Sequence, residues 1–187
     1  MMRFAAGVLL VTMVVGLPAA TLARPEGCTV DATPGDDVLR GSPGEDVICG
    51  RGGEDRIFGY SGDDRLLGGS GDDVVFAGGG VDDIFGGSGR DRIFGMGGGD
   101  SVWGFGGIDR IIGGKGSDNL HGGGRADTGR GNDGSDVVKG DRGPDACLAT
   151  ADGIAGNDRL VGSPGEDRYE ADSGDAVLES EILGCKS

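Results

Sequence analysis

The chain has 187 residues, 44 of them glycine, with only six Phe, two Tyr and one Trp, too few bulky side chains to fill an ordinary globular core. Its 32 acidic and 17 basic residues leave a net charge of −15, which opposes a nucleic-acid surface. No His-Glu-x-x-His, Gly-x-Ser-x-Gly or Cys-x-x-Cys spacing occurs, and the single histidine, His121, cannot anchor a hydrolase or zinc site alone.

At the N-terminus Arg3 precedes an apolar stretch over 4–17, followed by Pro18 and a small-residue exit at Thr21-Leu22-Ala23. Residues 1–23 read as a secretory signal peptide cleaved after Ala23. The apolar run is short of the ~20 residues needed to span a bilayer. The mature chain is expected to be secreted and extracellular, with no transmembrane segment after cleavage. A short N-terminal cap follows at 24–31.

From Ala32 a nine-residue beat begins, Gly-x-x-Gly-x-Asp-x-apolar-x, and thirteen blocks run from 32 to 148 without a gap. GYSGDDRLL (59–67), GGSGDDVVF (68–76), GGSGRDRIF (86–94) and GGKGSDNLH (113–121) are the clearest. A four-residue insertion, 149–152, precedes a short second array over 153–179, made of GIAGNDRLV, GSPGEDRYE and a weaker ADSGDAVLE, and then a C-terminal cap at 180–187. The sixth column is Asp in fifteen of sixteen blocks: Asp37, Asp46, Asp55, Asp64, Asp73, Asp82, Asp91, Asp100, Asp109, Asp118, Asp127, Asp136, Asp145, Asp158 and Asp167. The sixteenth block has Ala176 there; the fourth column is Gly everywhere except Arg125, and the eighth is apolar everywhere except Gly129.

Each column has a physical reading. Glycines in the first and fourth columns permit positive φ and close backbone approach, so the first six residues are expected to form a tight turn with inward carbonyls. The last three read as a very short strand whose central residue faces the core, because side chains alternate at period two. Asp just before each strand puts a carboxylate at the rim of the turn. Stacked turns would place it beside the carbonyls of a neighbouring loop. That shell, all oxygen and carbonyl-rich, suits Ca²⁺ better than Mg²⁺, which demands tighter octahedral geometry.

These blocks resemble the RTX, or haemolysin-type, calcium-binding nonapeptide G-G-x-G-x-D-x-U-x over 144 of the 187 residues. The resemblance implies an all-β, right-handed parallel β-roll, a β-solenoid with two repeats per turn and multiple Ca²⁺ ions between successive turns on the same side. Asp46 would then share a site with the loop of Asp64, and Asp55 with that of Asp73, to a maximum of eleven loop pairs in the first array. Fewer are expected near GGGRADTGR (122–130), which lacks both its turn glycine and its core residue.

Four cysteines in a secreted chain suggest two disulfides, for which three connectivities are open; local pairing of Cys28 with Cys49 and Cys147 with Cys185 would staple each end. In the ninth column, Phe58, Phe76, Phe94 and Ile112 are expected to form one outward ladder and Leu67, Phe85 and Trp103 another, either stabilising the sheet or offering a sticky face. Seventh-column arginines (Arg56, Arg65, Arg92, Arg110) are expected to shield neighbouring acids. Pairs such as Asp63-Asp64 and Asp72-Asp73 recur with the repeat, as metal sites do and a unique catalytic dyad does not. The sequence therefore points to a non-enzymatic, secreted calcium-binding protein that folds on binding, structural or adhesive in role. Its expected partners beyond calcium are a cell-surface polymer, another secreted protein or itself. The alternative is a calcium-dependent accessory module of a secreted hydrolase or polysaccharide-modifying enzyme.

Overall fold

A computed structural model describes residues 27–148 together with the strands at 159–161, 168–170 and 176–178. The expected signal peptide, most of the expected caps, the insertion, Asp158, Asp167, Cys185 and the side chain of Cys147 lie outside the described residues. Every regular element in the described part is a β-strand except a single 3₁₀ residue at Gly27. Strands β1 (Val30–Asp31), β2 (Val38–Arg40) and β3 (Val47–Cys49) are short, and the ten from β4 (Arg56–Ser61) to β13 (Val137–Arg142) have six residues each. Odd-numbered strands form one parallel sheet and even-numbered strands the other, so two nonapeptides make each turn of a parallel β-roll.

Register follows the repeat: Ile57 pairs with Val75, Val75 with Ile93 and Ile93 with Ile111, each 18 residues on. The eighth column is the core, as expected. Ile48, Ile57, Leu66, Val75, Ile84, Ile93, Val102, Ile111, Leu120, Val138 and Leu160 are fully buried in one continuous row of aliphatic side chains. Burying each contributes roughly 1.5–3 kcal/mol. At Gly129 the row lacks a side chain, and Val138 leans into the gap so closely that a Cβ on Gly129 would meet its Cγ1 at 2.7 Å.

Three details differ from the sequence expectation. The strands are six residues long because the first three columns of the following block also pair, as in Tyr60 with Gly78 and Ser61 with Gly79. Positive φ falls in the second and fourth columns, not the first: Tyr60 has φ 82° and Gly62 φ 113°. The first column is small for lack of space. A Cβ on Gly59 would lie 2.5 Å from the Ala77 carbonyl oxygen.

The third difference lies at the C-terminal end. Strands β14 (Ala146–Leu148), β15 (Arg159–Val161), β16 (Arg168–Glu170) and β17 (Ala176–Leu178) extend both sheets beyond the insertion, with Val138 paired to Leu160 and Cys147 to Tyr169. The extra four residues are thus accommodated without breaking either sheet. In β17, Val177 and not Leu178 pairs with Leu160. The last strand therefore pairs 17 residues on from its partner, one short of the 18-residue period, which puts Ala176 opposite the seventh-column Arg159.

A disulfide joins Cys28 to Cys49 with their Cα atoms 6.0 Å apart, closing the first blocks as local pairing required. Both cysteines are buried.

Candidate metal sites

Each described aspartate of the sixth column precedes a strand, and from Asp37 to Asp145 the parallel ladder stacks it on the aspartate 18 residues away. Its Oδ1 accepts the backbone N–H of the preceding stacked aspartate: Asp64 from Asp46 at 2.8 Å, Asp73 from Asp55 at 2.8 Å and Asp91 from Asp73 at 2.9 Å. The same bond continues through Asp136 and Asp145. The loop partners expected from the sequence are therefore neighbours. From Asp46 to Asp145 every one of these side chains is buried.

The second carboxylate oxygen is what distinguishes the column. In Asp55, Asp64, Asp73, Asp82, Asp91, Asp100, Asp109, Asp118 and Asp127, Oδ2 is buried and receives no hydrogen bond. It points instead toward the first-column glycine of its own block and the carbonyl of the next turn. A Cβ on Gly104 would lie 2.6 Å from Asp109 Oδ2 and 2.5 Å from the Gly122 carbonyl oxygen. At Gly59 the corresponding oxygens belong to Asp64 and Ala77. Two acceptors share a small dry space with no donor between them, an arrangement costing on the order of 1–3 kcal/mol per group and more when charged.

The electrostatics agree. Burial pushes Asp91 and Asp127 up to about 7, and Asp73, Asp82, Asp100 and Asp118 up to about 6, against a partial lowering by the backbone N–H of the preceding turn. Stacked carboxylates raise several of them further, Asp91 through Asp109 and Asp73. A cation among these oxygens relieves both the desolvation and the repulsion. The donors present, carboxylate and carbonyl oxygens, fit Ca²⁺. Among the described residues no three His, Cys, Asp or Glu side chains cluster around one point, so carbonyls must supply most of the shell.

The first two aspartates behave differently. Asp37 Oδ2 accepts the backbone N–H of Thr33 at 2.8 Å and its hydroxyl at 2.7 Å. Asp46 Oδ2 accepts the Ser42 N–H at 2.6 Å, and its Oδ1 accepts the Thr29 hydroxyl at 2.9 Å. Burial raises Asp46, but these hydrogen bonds outweigh it and hold the carboxyl below its usual range. The cause lies in the third column, where Pro34 and Pro43 stand in place of the non-proline residues of the blocks from 50 to 148. A residue before proline is driven to extended φ. Thr33 and Ser42 accordingly lack the positive φ seen at every second-column residue from Arg51 to Asp141. Their N–H groups turn toward the aspartate four residues ahead. The signal was present in the sequence as Thr-Pro-Gly and Ser-Pro-Gly.

Other expectations sort by side. Asp63 and Asp72 are exposed and accept the N–H of Val81 and Arg90, whereas Asp64 and Asp73 are buried, so the adjacent carboxylates do not form dyads. The ninth-column ladders form: Phe58–Phe76 and Phe76–Phe94 stack at 5.4 and 4.8 Å, Phe85–Trp103 at 4.9 Å. His121 extends the second ladder at 5.9 Å from Trp103 and bonds Asp141 through Nδ1 at 3.2 Å. These rings are half-buried because they cover one another. The Arg65 guanidinium lies 5.0 Å over the Phe85 ring, adding a cation–π contact to the ladder.

A two-sheet parallel roll carrying a column of buried, donorless carboxylate oxygens against carbonyls is a cation-binding β-solenoid. The family profile of the RTX calcium-binding nonapeptide repeat matches residues 29–57, 50–84, 58–93, 85–120, 103–138, 121–147 and 150–178. The chain belongs to this family, whose repeats bind calcium. No curated protein and no solved structure matches it.

Proposed function

We propose that this chain is a secreted, non-enzymatic calcium-binding rod, structural or adhesive in role, whose folding outside the cell is completed by Ca²⁺. The observation that carries the reading is the set of nine buried Oδ2 atoms, from Asp55 to Asp127, that face carbonyls and receive no donor. In this reading Asp55, Asp64, Asp73, Asp82, Asp91, Asp100, Asp109, Asp118 and Asp127 hold the ions together with carbonyls of the adjacent loops. Asp136 and Asp145 continue the same ladder and Asp158 extends it by sequence, while Asp167, whose block carries the same Ser-Pro-Gly as that of Asp46, falls with the loop caps. Asp37 and Asp46 serve chiefly as loop caps.

The ion supplies positive charge where the polypeptide supplies only acceptors. Because it binds the folded stack and not the unfolded chain, it stabilises the fold by mass action. Sites of the weak extracellular class, ~10⁻⁴–10⁻³ M, fill in the millimolar calcium found outside cells and stay empty in the cytosol. The disulfide between Cys28 and Cys49 supports an oxidising destination. Equilibrium dialysis against calcium with excess magnesium tests the reading. Several calcium ions per chain are expected; a chain that retains none, or exchanges them freely for magnesium, would refute it.

A further inference from the structure

Beyond the ion sites, the outer face of the odd-numbered sheet carries a cleft of about 360 Å³ lined by Trp103, Phe105, His121, Gly123, Asp141 and Arg142. Its shape comes from the second column of strands β9 (Ser101–Gly106), β11 (Asn119–Gly124) and β13. Phe105 pairs with Gly123 and Gly123 with Asp141, so a glycine floor separates an aromatic wall from a charged one. The walls stand two strand steps apart, about 9.5 Å, which leaves room for one ring at the level where Gly123 has no side chain. Phe85, Trp103 and His121 stack nearly parallel, and Phe105 lies within 19° of Phe85, so Phe105 turns a ring face toward that slot.

Phe105 is one of three large hydrophobic side chains that the second column leaves exposed, with Tyr60 and Met96. Its φ is 72°, a left-handed conformation that glycine adopts at the neighbouring second-column positions Gly87 and Gly123, and its side chain is 51 % exposed. Of the three, Phe105 is the one that lines this cleft, on the side facing Asp141 and Arg142. Opposite it, Asp141 also has positive φ, 65°, and is fixed by the His121 ring, which Lys139 approaches from its other nitrogen at 3.3 Å. Arg142 adds an exposed guanidinium.

We infer that this cleft is a binding site for a neutral sugar ring. The apolar C–H face of a pyranose stacks on Phe105, while its vicinal hydroxyls find an acceptor in Asp141 and a donor in Arg142. The other ring-bearing ligands fit less well. A plain aromatic side chain would strand the two charged groups against hydrocarbon. A uronate or phosphate would meet Asp141 and a chain of net charge −15. The inference rests on the calcium-loaded fold proposed above and adds a ligand to it.

Trp103 is the only tryptophan and lines the cleft, so its fluorescence reports occupancy directly. The calcium-loaded full chain is titrated with tetrasaccharides of β-linked glucose and of β-linked N-acetylglucosamine, with a galacturonate tetrasaccharide as control, and circular dichroism of the same samples reads the fold separately. A saturable change in Trp103 emission is expected with a neutral sugar and not with the uronate. Binding should weaken about tenfold or more in Phe105→Gly, which relieves the backbone and keeps the fold, and in Arg142→Ala. No emission change with either neutral sugar in the folded protein, binding of the uronate alone, or undiminished binding by Phe105→Gly would overturn the inference. A chain that lacks the β signal in calcium would instead contradict the folding reading.

Discussion

The first two nonapeptides and the nine that follow share one template yet solve the same electrostatic problem in different ways. In the first two, a proline turns the Thr33 and Ser42 N–H groups onto Asp37 and Asp46, so protein donors satisfy the carboxylates. From Asp55 to Asp127 the loops take positive φ, the N–H groups turn elsewhere and one oxygen of each carboxylate is left without a donor. In the proposed reading the same aspartate column is self-sufficient at the N-terminal end, which the Cys28–Cys49 disulfide also closes, and depends on a cation through the middle. A solenoid frays from its ends, and here the end that is closed covalently is also the one that needs no ion.

The largest expected effect is that of protons, which can neutralise the central carboxylates in place of calcium. Folding raises these groups, Asp91 and Asp127 to about 7 and Asp73, Asp82, Asp100 and Asp118 to about 6, mainly through burial. A raised carboxyl stabilises the fold below its unfolded value near ~4 and loses that contribution as pH rises through the folded value. In chelator the stack should gain β structure on acidification through pH 7 to 5 and lose it again above, followed by circular dichroism. Asp46, held low, contributes in the opposite sense, and its turn should not share the gain.

Removing the N-terminal closure comes next. Replacing Cys28 and Cys49 by Ser should cost about 3 kcal/mol for a loop of this length, read as a lower melting temperature in calcium. The loss of amide protection should concentrate in β1 to β3, leaving the calcium requirement of the central turns in place.

One substitution made in both regions sharpens the contrast. Asp91→Asn keeps an acceptor for the Asp73 N–H and places an amide donor against the carbonyl side, where the native carboxylate has none. Stability in chelator should rise by about 1–3 kcal/mol, while the calcium midpoint moves to higher concentration. Asp46→Asn already has its donor from Ser42 and should show no gain in chelator, with a loss within about 1 kcal/mol. Equal responses at the two positions would erase the distinction between the regions.

The smallest effect is expected away from the aspartates. Phe76 stacks between Phe58 and Phe94, and Phe76→Leu should lower stability by about 0.5–1.5 kcal/mol through lost stacking. Chemical denaturation at saturating calcium would measure it, and the number of bound ions should not change.

Much of this was legible in the sequence because a strict period leaves few degrees of freedom. Once Ile57, Val75 and Ile93 recur in phase, a single register satisfies all of them, and the stacking of Asp46 on Asp64 follows. Two other features required three dimensions. The first-column glycines look like turn residues in the sequence but are small because the carbonyl of the next turn occupies the space a Cβ would need. The slip that pairs Val177 with Leu160 is hidden by a block in which Ala176-Val177-Leu178 are all apolar, so two alignments look equally good. Phe105 stood out to neither composition nor period, since only the fold sets its ring across the Gly123 floor from Asp141. The proline effect on Asp37 and Asp46 was readable from the residues, given the rule that proline constrains the position before it.

The central claim is that the carboxylates from Asp55 to Asp127 require calcium for the roll to form. A calcium titration of the chain in chelator-buffered solution near neutral pH, followed by far-ultraviolet circular dichroism with magnesium in parallel, tests it most directly. The account predicts a cooperative gain of β signal with calcium and none with magnesium. A full β signal already present in chelator at that pH, unchanged by calcium, would show that glycine turns and the aliphatic row suffice and would contradict it.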